Sequence, residues 1–196
     1  MTANWYKQQV NNNNYLSPIG FKFILEKAPK VAYLCQTAAI PEISLGTVDI
    51  PTYLVPMPIE GNLNYSSMNL TFLVDENLEN YLQLHNWMRA LGVPTSFRER
   101  AEFEDAVRYP GARENKKDRN IFSDGTLQVL NNNYLNNFDI QFVDLIPTSL
   151  STLDFDATTS ETNFMTATVS FTYTYYEIRT PNGSGRIVDS AWYTEP

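Results

Sequence analysis

The segment from Asn69 to Pro94, NLTFLVDENLENYLQLHNWMRALGVP, constrains this chain most, because it reads as a strand running straight into one strong amphipathic helix. Leu70, Phe72 and Val74 alternate with Asn69, Thr71 and Leu73, the period of two of a strand with one buried face. Asp75 is expected to cap the helix, and Glu76 and Glu79 set negative charge on a first turn whose dipole favours it. Leu78, Tyr81, Leu82, Leu84, Trp87, Met88 and Leu91 form a broad apolar face, with Glu76, Asn80, Gln83, Asn86 and Arg89 polar. Leu82 is expected in the core, where truncation to Ala costs roughly 2–5 kcal/mol. Gly92 and Pro94 end the helix. No second helix of this quality is visible, so one helix packs on an otherwise β-rich chain.

The rest of the chain fits a mostly β protein of a single domain. Its 196 residues include 12 Tyr, 11 Phe and 3 Trp, yet only 18% are charged, which suits large protected or interfacial surfaces. The lone Cys35 has no internal disulfide partner, and a reducing compartment is expected. The N-terminus lacks the pattern of a signal peptide, and no apolar run has the length of a membrane span. The net charge is −8, but Arg98 to Arg119 holds seven basic and six acidic residues, which leaves seven basic and sixteen acidic for the body. An acidic body opposes wrapping nucleic acid, though not letting it pass.

Residues 1–19, Asn-rich with Trp5, Tyr6 and Tyr15, read as a flexible arm. Residues 20–179 form the main domain. Within it Gly20–Glu26 and Val31–Thr37 are expected as strands around a turn at 27–30, and Ala38–Pro41 as a corner. Val48–Ile50 and Tyr53–Val55 are expected as an open hairpin, with Gly61 and Asn62 as a turn. Residues 95–123 have the mixed charge of a long loop insert. Thr126–Leu130 and Phe138–Leu145 are strands, and Ile146 to Asp156 a crossing connection. Met165 to Tyr175 is the cleanest strand: Met165, Ala167, Val169, Phe171, Tyr173 and Tyr175 alternate with Thr166, Thr168, Ser170, Thr172 and Thr174. One face is apolar and the other a row of hydroxyls. Residues 180–196 read as a docking arm with Trp192 and Tyr193.

Catalytic chemistry finds little support in the sequence. His85, the one histidine, has no accompanying nucleophile motif and reads as a helix residue. Cys35 reads as a packed small side chain, NGSG at 182–185 as a turn, and Asp75, Glu76 and Glu79 as helix-start residues rather than cation ligands. No enzyme, metal or cofactor is expected.

The order of elements, with FKFILEKAPKVAYLCQTAAIPEISLGTVDIP, NLTFLVDENLENYLQLHNWMRALGVP, FDIQFVDLIPTSLSTLDFD and MTATVSFTYTYYEI, resembles the tail tube proteins of contractile-tailed, T4-like bacteriophages over about residues 20–94 and 124–178. The resemblance implies two packed β-sheets with one flanking α-helix, and hexameric rings whose inner sheets close into a continuous barrel and stack into a tube for DNA ejection. It also implies tail sheath, baseplate and tail terminator proteins as partners, a place in the virion after assembly in the host cytoplasm, and transient passage of DNA without specific binding. On it, Thr166, Thr168, Ser170, Thr172 and Thr174 become lumen-facing, in an acidic and weakly adhesive channel. Alternatives are a baseplate tube-initiator of the same fold and, in a different class, a monomeric β-barrel module for a small apolar ligand.

Overall fold

The computed structural model describes residues 15–51, 53–92, 98, 100, 121–156, 158 and 164–181. The first strand, β1 (Phe21–Leu25), buries Phe23 and Leu25 and exposes Lys22 and Ile24. A five-residue helix, α1 (Pro29–Tyr33), follows where a turn and a strand were expected. Pro29 sits in its first turn, where proline is preorganised and its missing N–H costs nothing, and Val31 is fully buried. The apolar run that suggested a longer strand is thus shared between α1 and a short edge strand, β2 (Cys35–Ala38).

β3 (Ile43–Ile50) and β4 (Met57–Tyr65) form a separate antiparallel hairpin, with Tyr53–Val55 in its tip. Gly61 and Asn62, expected as a turn, lie inside β4 at a register shift opposite Gly46. The chain then runs through β5 (Met68–Leu73), α2 (Glu79–Gly92), β6 (Ser123–Leu130), β7 (Asn136–Leu150), β8 (Thr166–Thr172) and β9 (Tyr175–Arg179). Seven strands are ordered β1-β6-β7-β8-β5-β2, with β9 also on β7. The fifteen-residue β7 belongs to two layers, because its first part pairs with β6 and β9 and its last part with β8. Between them Asp144 adopts a φ of 59°, a corner that lets the sheet turn over the core.

Over Ile146–Leu150 this corrects the expectation of a connection from Ile146 to Asp156, while residues 151–156 are irregular as expected. Pro147 is tolerated because the end of β7 is an edge of its layer, where no ladder partner needs its missing N–H. The expected strand from Met165 to Tyr175 is two strands, broken at Tyr173–Thr174. The insert at 95–123 falls mostly outside the described residues, as do residues 1–14 and 182–196 of the two arms.

Between the layers, Phe23, Leu25, Leu127, Ile140 and Phe142 meet Leu70, Phe72, Val169 and Phe171 in one core. The helix α2 closes it with Leu84 and Trp87; the Trp87 ring lies 6.2 Å from Phe171, and its Nε1 donates to the Ile121 carbonyl at 3.0 Å. Lys30 pairs with Glu79 between the two helices, and the Lys27 ammonium stands 5.4 Å from the Trp87 ring centre.

Two expectations about α2 are corrected. The helix starts at Glu79, and the side chain that organises its start is Asn80, fully buried. Its Nδ2 donates to Leu73 O at 2.6 Å, and its Oδ1 accepts from Tyr81 N at 2.7 Å and Asp75 N at 3.3 Å, so β5 is tied directly to the helix. Leu82 is 45% exposed, since it lies about 160° around the helix from buried Leu84. Leu84→Ala is therefore expected to cost about 2–5 kcal/mol, and Leu82→Ala to stay within about 0.5 kcal/mol in the unassembled subunit. Urea denaturation of the two variants checks this; equal losses would contradict the burial pattern.

Candidate assembly surfaces

The layer built from β2, β5, β8 and the end of β7 has two chemically opposite faces. Ala167, Val169 and Phe171 are buried toward the core, while Thr166, Thr168 and Thr172 are exposed and Ser170 is half-buried. Register continues the polar face onto neighbouring strands: Thr168 opposes Thr71, Ser170 opposes Asn69, and Thr37 opposes Thr71 from the edge. The hydroxyls satisfy one another. Thr71 Oγ1 and Thr168 Oγ1 are 3.1 Å apart, and Ser170 Oγ donates to Asn69 Oδ1 at 2.6 Å. Thr168 N donates to Ser151 Oγ at 2.9 Å, and Thr148 Oγ1 to the Ser170 carbonyl at 3.1 Å.

Among the described residues, those named on this face carry no charge, and they form a neutral, hydrogen-bonded net. Thr174 does not join the row. It lies beyond β8 at the bend, its N donating to Val143 O and its hydroxyl directed at Asp144 Oδ2. Periodicity extended the row one residue too far because it could not register the break in the strand.

The β3–β4 hairpin is the second surface. Ile43, Leu45, Val48, Ile50, Met57 and Leu63 are each more than 40% exposed, and Tyr53 at the tip is fully so. An isolated two-stranded hairpin is marginal in water, so its root must be held. Tyr65 packs edge-on at 6.0 Å from Tyr173 and 5.5 Å from Tyr176. Tyr173 OH donates to Ser66 O at 2.8 Å, Tyr176 OH to Pro41 O at 3.3 Å, and Ser66 N to Glu42 O at 3.0 Å. Burial, then the neighbouring Tyr176 and Tyr65, pushes the Tyr173 hydroxyl up to about 12, and burial followed by Tyr65 raises Tyr176. Both therefore remain protonated donors at neutral pH. The sequence signalled a hairpin here but not the tyrosines that hold it, which come from the residue after β8 and from β9, more than a hundred residues away.

A third apolar group lies at the β6–β7 turn. Tyr134 and Leu135 are exposed there, and the Gly20 carbonyl, accepting from Leu130 N, brings exposed Ile19 to the same end. Tyr173 and Tyr176, which hold the hairpin root, pack on Phe142 of β7, so about 20 Å of strand separates that root from the β6–β7 turn.

The remaining candidates lie apart from these surfaces. His85 is exposed on α2, in an open groove with Tyr81, Met88, Arg89, Gly92 and Leu150. The half-buried Cys35 thiol, which donates to Thr37 O, is pushed up to about 11 by desolvation, partly offset by a backbone hydrogen bond at Thr37. Asp75, Glu76 and Glu79 form no metal-binding group, and among the described residues no cluster of three or more His, Cys, Asp or Glu could hold a metal. No helix among them is long and apolar enough to cross a membrane.

Comparison with known proteins gives the family. No curated protein sequence is significantly similar to the chain. Among solved structures, it is similar to a chain of the tube-terminating cap of the anti-feeding prophage, with a TM-score of 0.59 and 14% identity over 92% of this chain and 99% of that one. It also resembles a chain of the anti-feeding prophage baseplate, with a TM-score of 0.53, 13% identity and coverage of 89% and 98%. A chain of the sheath–tube complex of an extracellular contractile injection system matches with a TM-score of 0.51, 12% identity and coverage of 86% and 93%. At such identities these likenesses show a shared fold. The family of phage tail tube proteins is matched over residues 2–179, and the chain belongs to that family, as a structural subunit of a tail tube.

Proposed function

We propose that this subunit forms hexameric rings that stack into the tube of a contractile tail, with the polar face of β5 and β8 lining the channel. The observation that carries the reading is the two-faced layer: its apolar side fills the core, and its other side is an uncharged net of mutually bonded hydroxyl and amide groups. A wall of this kind offers a passing polyanion neither cations to bind nor unpaired donors to snag on, so DNA slides without specific attachment. Among the described residues nothing pairs with the outer edge of β2 or packs on the distal half of the hairpin, and neighbouring copies would satisfy both. Two separate apolar groups on one chain suit head-to-tail contacts, which close rings or extend filaments. Likenesses to chains of a sheath–tube complex, a baseplate and a tube-terminating cap support a sheath, baseplate and terminator as partners within the virion.

Thr168→Cys and Thr172→Cys test the lining. Cys35, with its raised thiol pKa, gives a low background. In intact capped tubes a maleimide too bulky to enter the bore should leave positions 168 and 172 unlabelled, while a small one reaches them after the ends are opened. Prompt labelling by the bulky reagent would put this face outside. Thr168→Lys and Thr172→Lys should still assemble, and virions carrying them should release DNA more slowly because the added cations attract phosphate.

A further inference from the structure

The hairpin changes sides halfway along. On β3, Ile43 and Leu45 point to one face and Val48 and Ile50 to the other, because side chains alternate with a period of two. Cross-strand register supplies their partners: Tyr65 and Leu63 for the first pair, Ile59 and Met57 for the second. In the first half the apolar face is the one to which Tyr65 belongs, and Tyr65 packs on the subunit's own Tyr173 and Tyr176. In the second half the apolar residues lie on the opposite face, and Thr47, Asp49, Pro58 and Glu60 occupy the body-side face. The distal half thus turns its apolar surface away from the molecule that carries it.

The switch falls at the Gly46–Gly61 crossing. Gly61 and Asn62 together oppose Gly46, an extra residue that bends and twists the ladder. A Cβ at Gly61 would stand 2.8 Å from Gly46 O and 3.0 Å from its carbonyl carbon, with only backbone to yield. A Cβ at Gly46 meets nothing nearer than Asn62 O at 3.4 Å, an ordinary contact. Close approach of the two backbones therefore requires glycine at 61 and not at 46.

We infer that Gly61 is a positioning residue for assembly: the crossing sets the angle at which the distal arm, with Val48, Ile50, Met57 and Ile59, leaves the body to seat on a second copy of this chain. The inference rests on the tube reading above. The tyrosine-held root and the crossing form a fixed bracket, so the angle of the arm becomes the angle between the carrying subunit and the copy it grips. Widening the crossing by one methyl group leaves the arm apolar but aims it wrongly.

Gly61→Ala and Gly46→Ala in the full chain, compared with wild type, provide the test. Gly61→Ala should lower the melting of the unassembled subunit modestly, because the backbone must shift, while leaving it cooperatively folded, and should raise the concentration needed for polymer formation about tenfold. Any rods it forms should show an altered rotation between successive rings in electron cryomicroscopy. Gly46→Ala should match wild type in all three measurements. Wild-type assembly and rotation in Gly61→Ala, an equal defect in both variants, or an unassembled Gly61→Ala that no longer melts cooperatively would overturn the inference. The tube reading fails separately, if wild-type protein forms no hollow rods.

Discussion

Val169→Lys is expected to abolish folding, the largest effect of any single substitution proposed for this chain. Val169 is fully buried, paired across β8 with Leu70 on β5 and Leu150 on β7. A lysine there must either bury an unpaired ammonium or give up its proton, at a cost of several kcal/mol in either case. A domain of this size has a total stability of only about 5–15 kcal/mol, and the lost packing adds to the charge penalty. The neighbouring Thr168→Lys carries the same charge one residue away and should melt close to wild type, because Thr168 is exposed. Circular dichroism of the two proteins makes the comparison directly. A cooperative Val169→Lys melt near the wild-type temperature would show that β8 is not two-faced.

Replacing Val48 and Ile50 together by Asp is expected to leave a folded subunit that no longer forms rods. Both side chains are on the outward face of the distal hairpin, 57% and 42% exposed, so the unassembled subunit loses little. In the assembly each buried aliphatic side chain contributes about 1.5–3 kcal/mol, and the two carboxylates add desolvation costs. The concentration needed for polymer formation should rise at least about a hundredfold, since each 1.4 kcal/mol is a factor of ten. Sedimentation measures the polymer, and thermal melting confirms the fold. Because these contacts are apolar, wild-type rods should persist at about 1 M salt, where screening acts within about 3 Å. With a net charge of −8 on every copy, salt weakens repulsion between subunits rather than attraction. Rods that dissolve on raising ionic strength, or a double variant that assembles normally, would contradict the apolar account.

Local period carried much of the fold. The alternation in β5 and β8 identified the buried Leu70, Phe72, Val169 and Phe171, because a strand with one core face writes its geometry into every second residue. The helix α2 was legible from Leu84 and Trp87 for the same reason. What escaped depended on distant partners. Asn80 looks like a surface residue until β5 ends beside it with a free carbonyl, and Leu82 looks like core until the helix is rotated onto the sheet. Pro147 reads as a break, yet an edge position makes it part of a strand. Gly61–Asn62 has the composition of a turn, and only the approach of Gly46 shows why a glycine is needed within β4. For the assembly surfaces, the hydroxyl row was legible from Thr166 to Thr172. Its neutrality was not, because Asn69 and Thr71 join it from a strand about a hundred residues earlier.

Electron cryomicroscopy of the polymerised wild-type protein tests the central claim most directly. Hexameric rings should stack around a hollow bore, with Thr166, Thr168, Ser170 and Thr172 facing it and Val48 and Ile50 seated on a neighbouring copy. A filament without a bore, or a tube carrying the Thr166–Thr172 face on its outer surface, would contradict that claim.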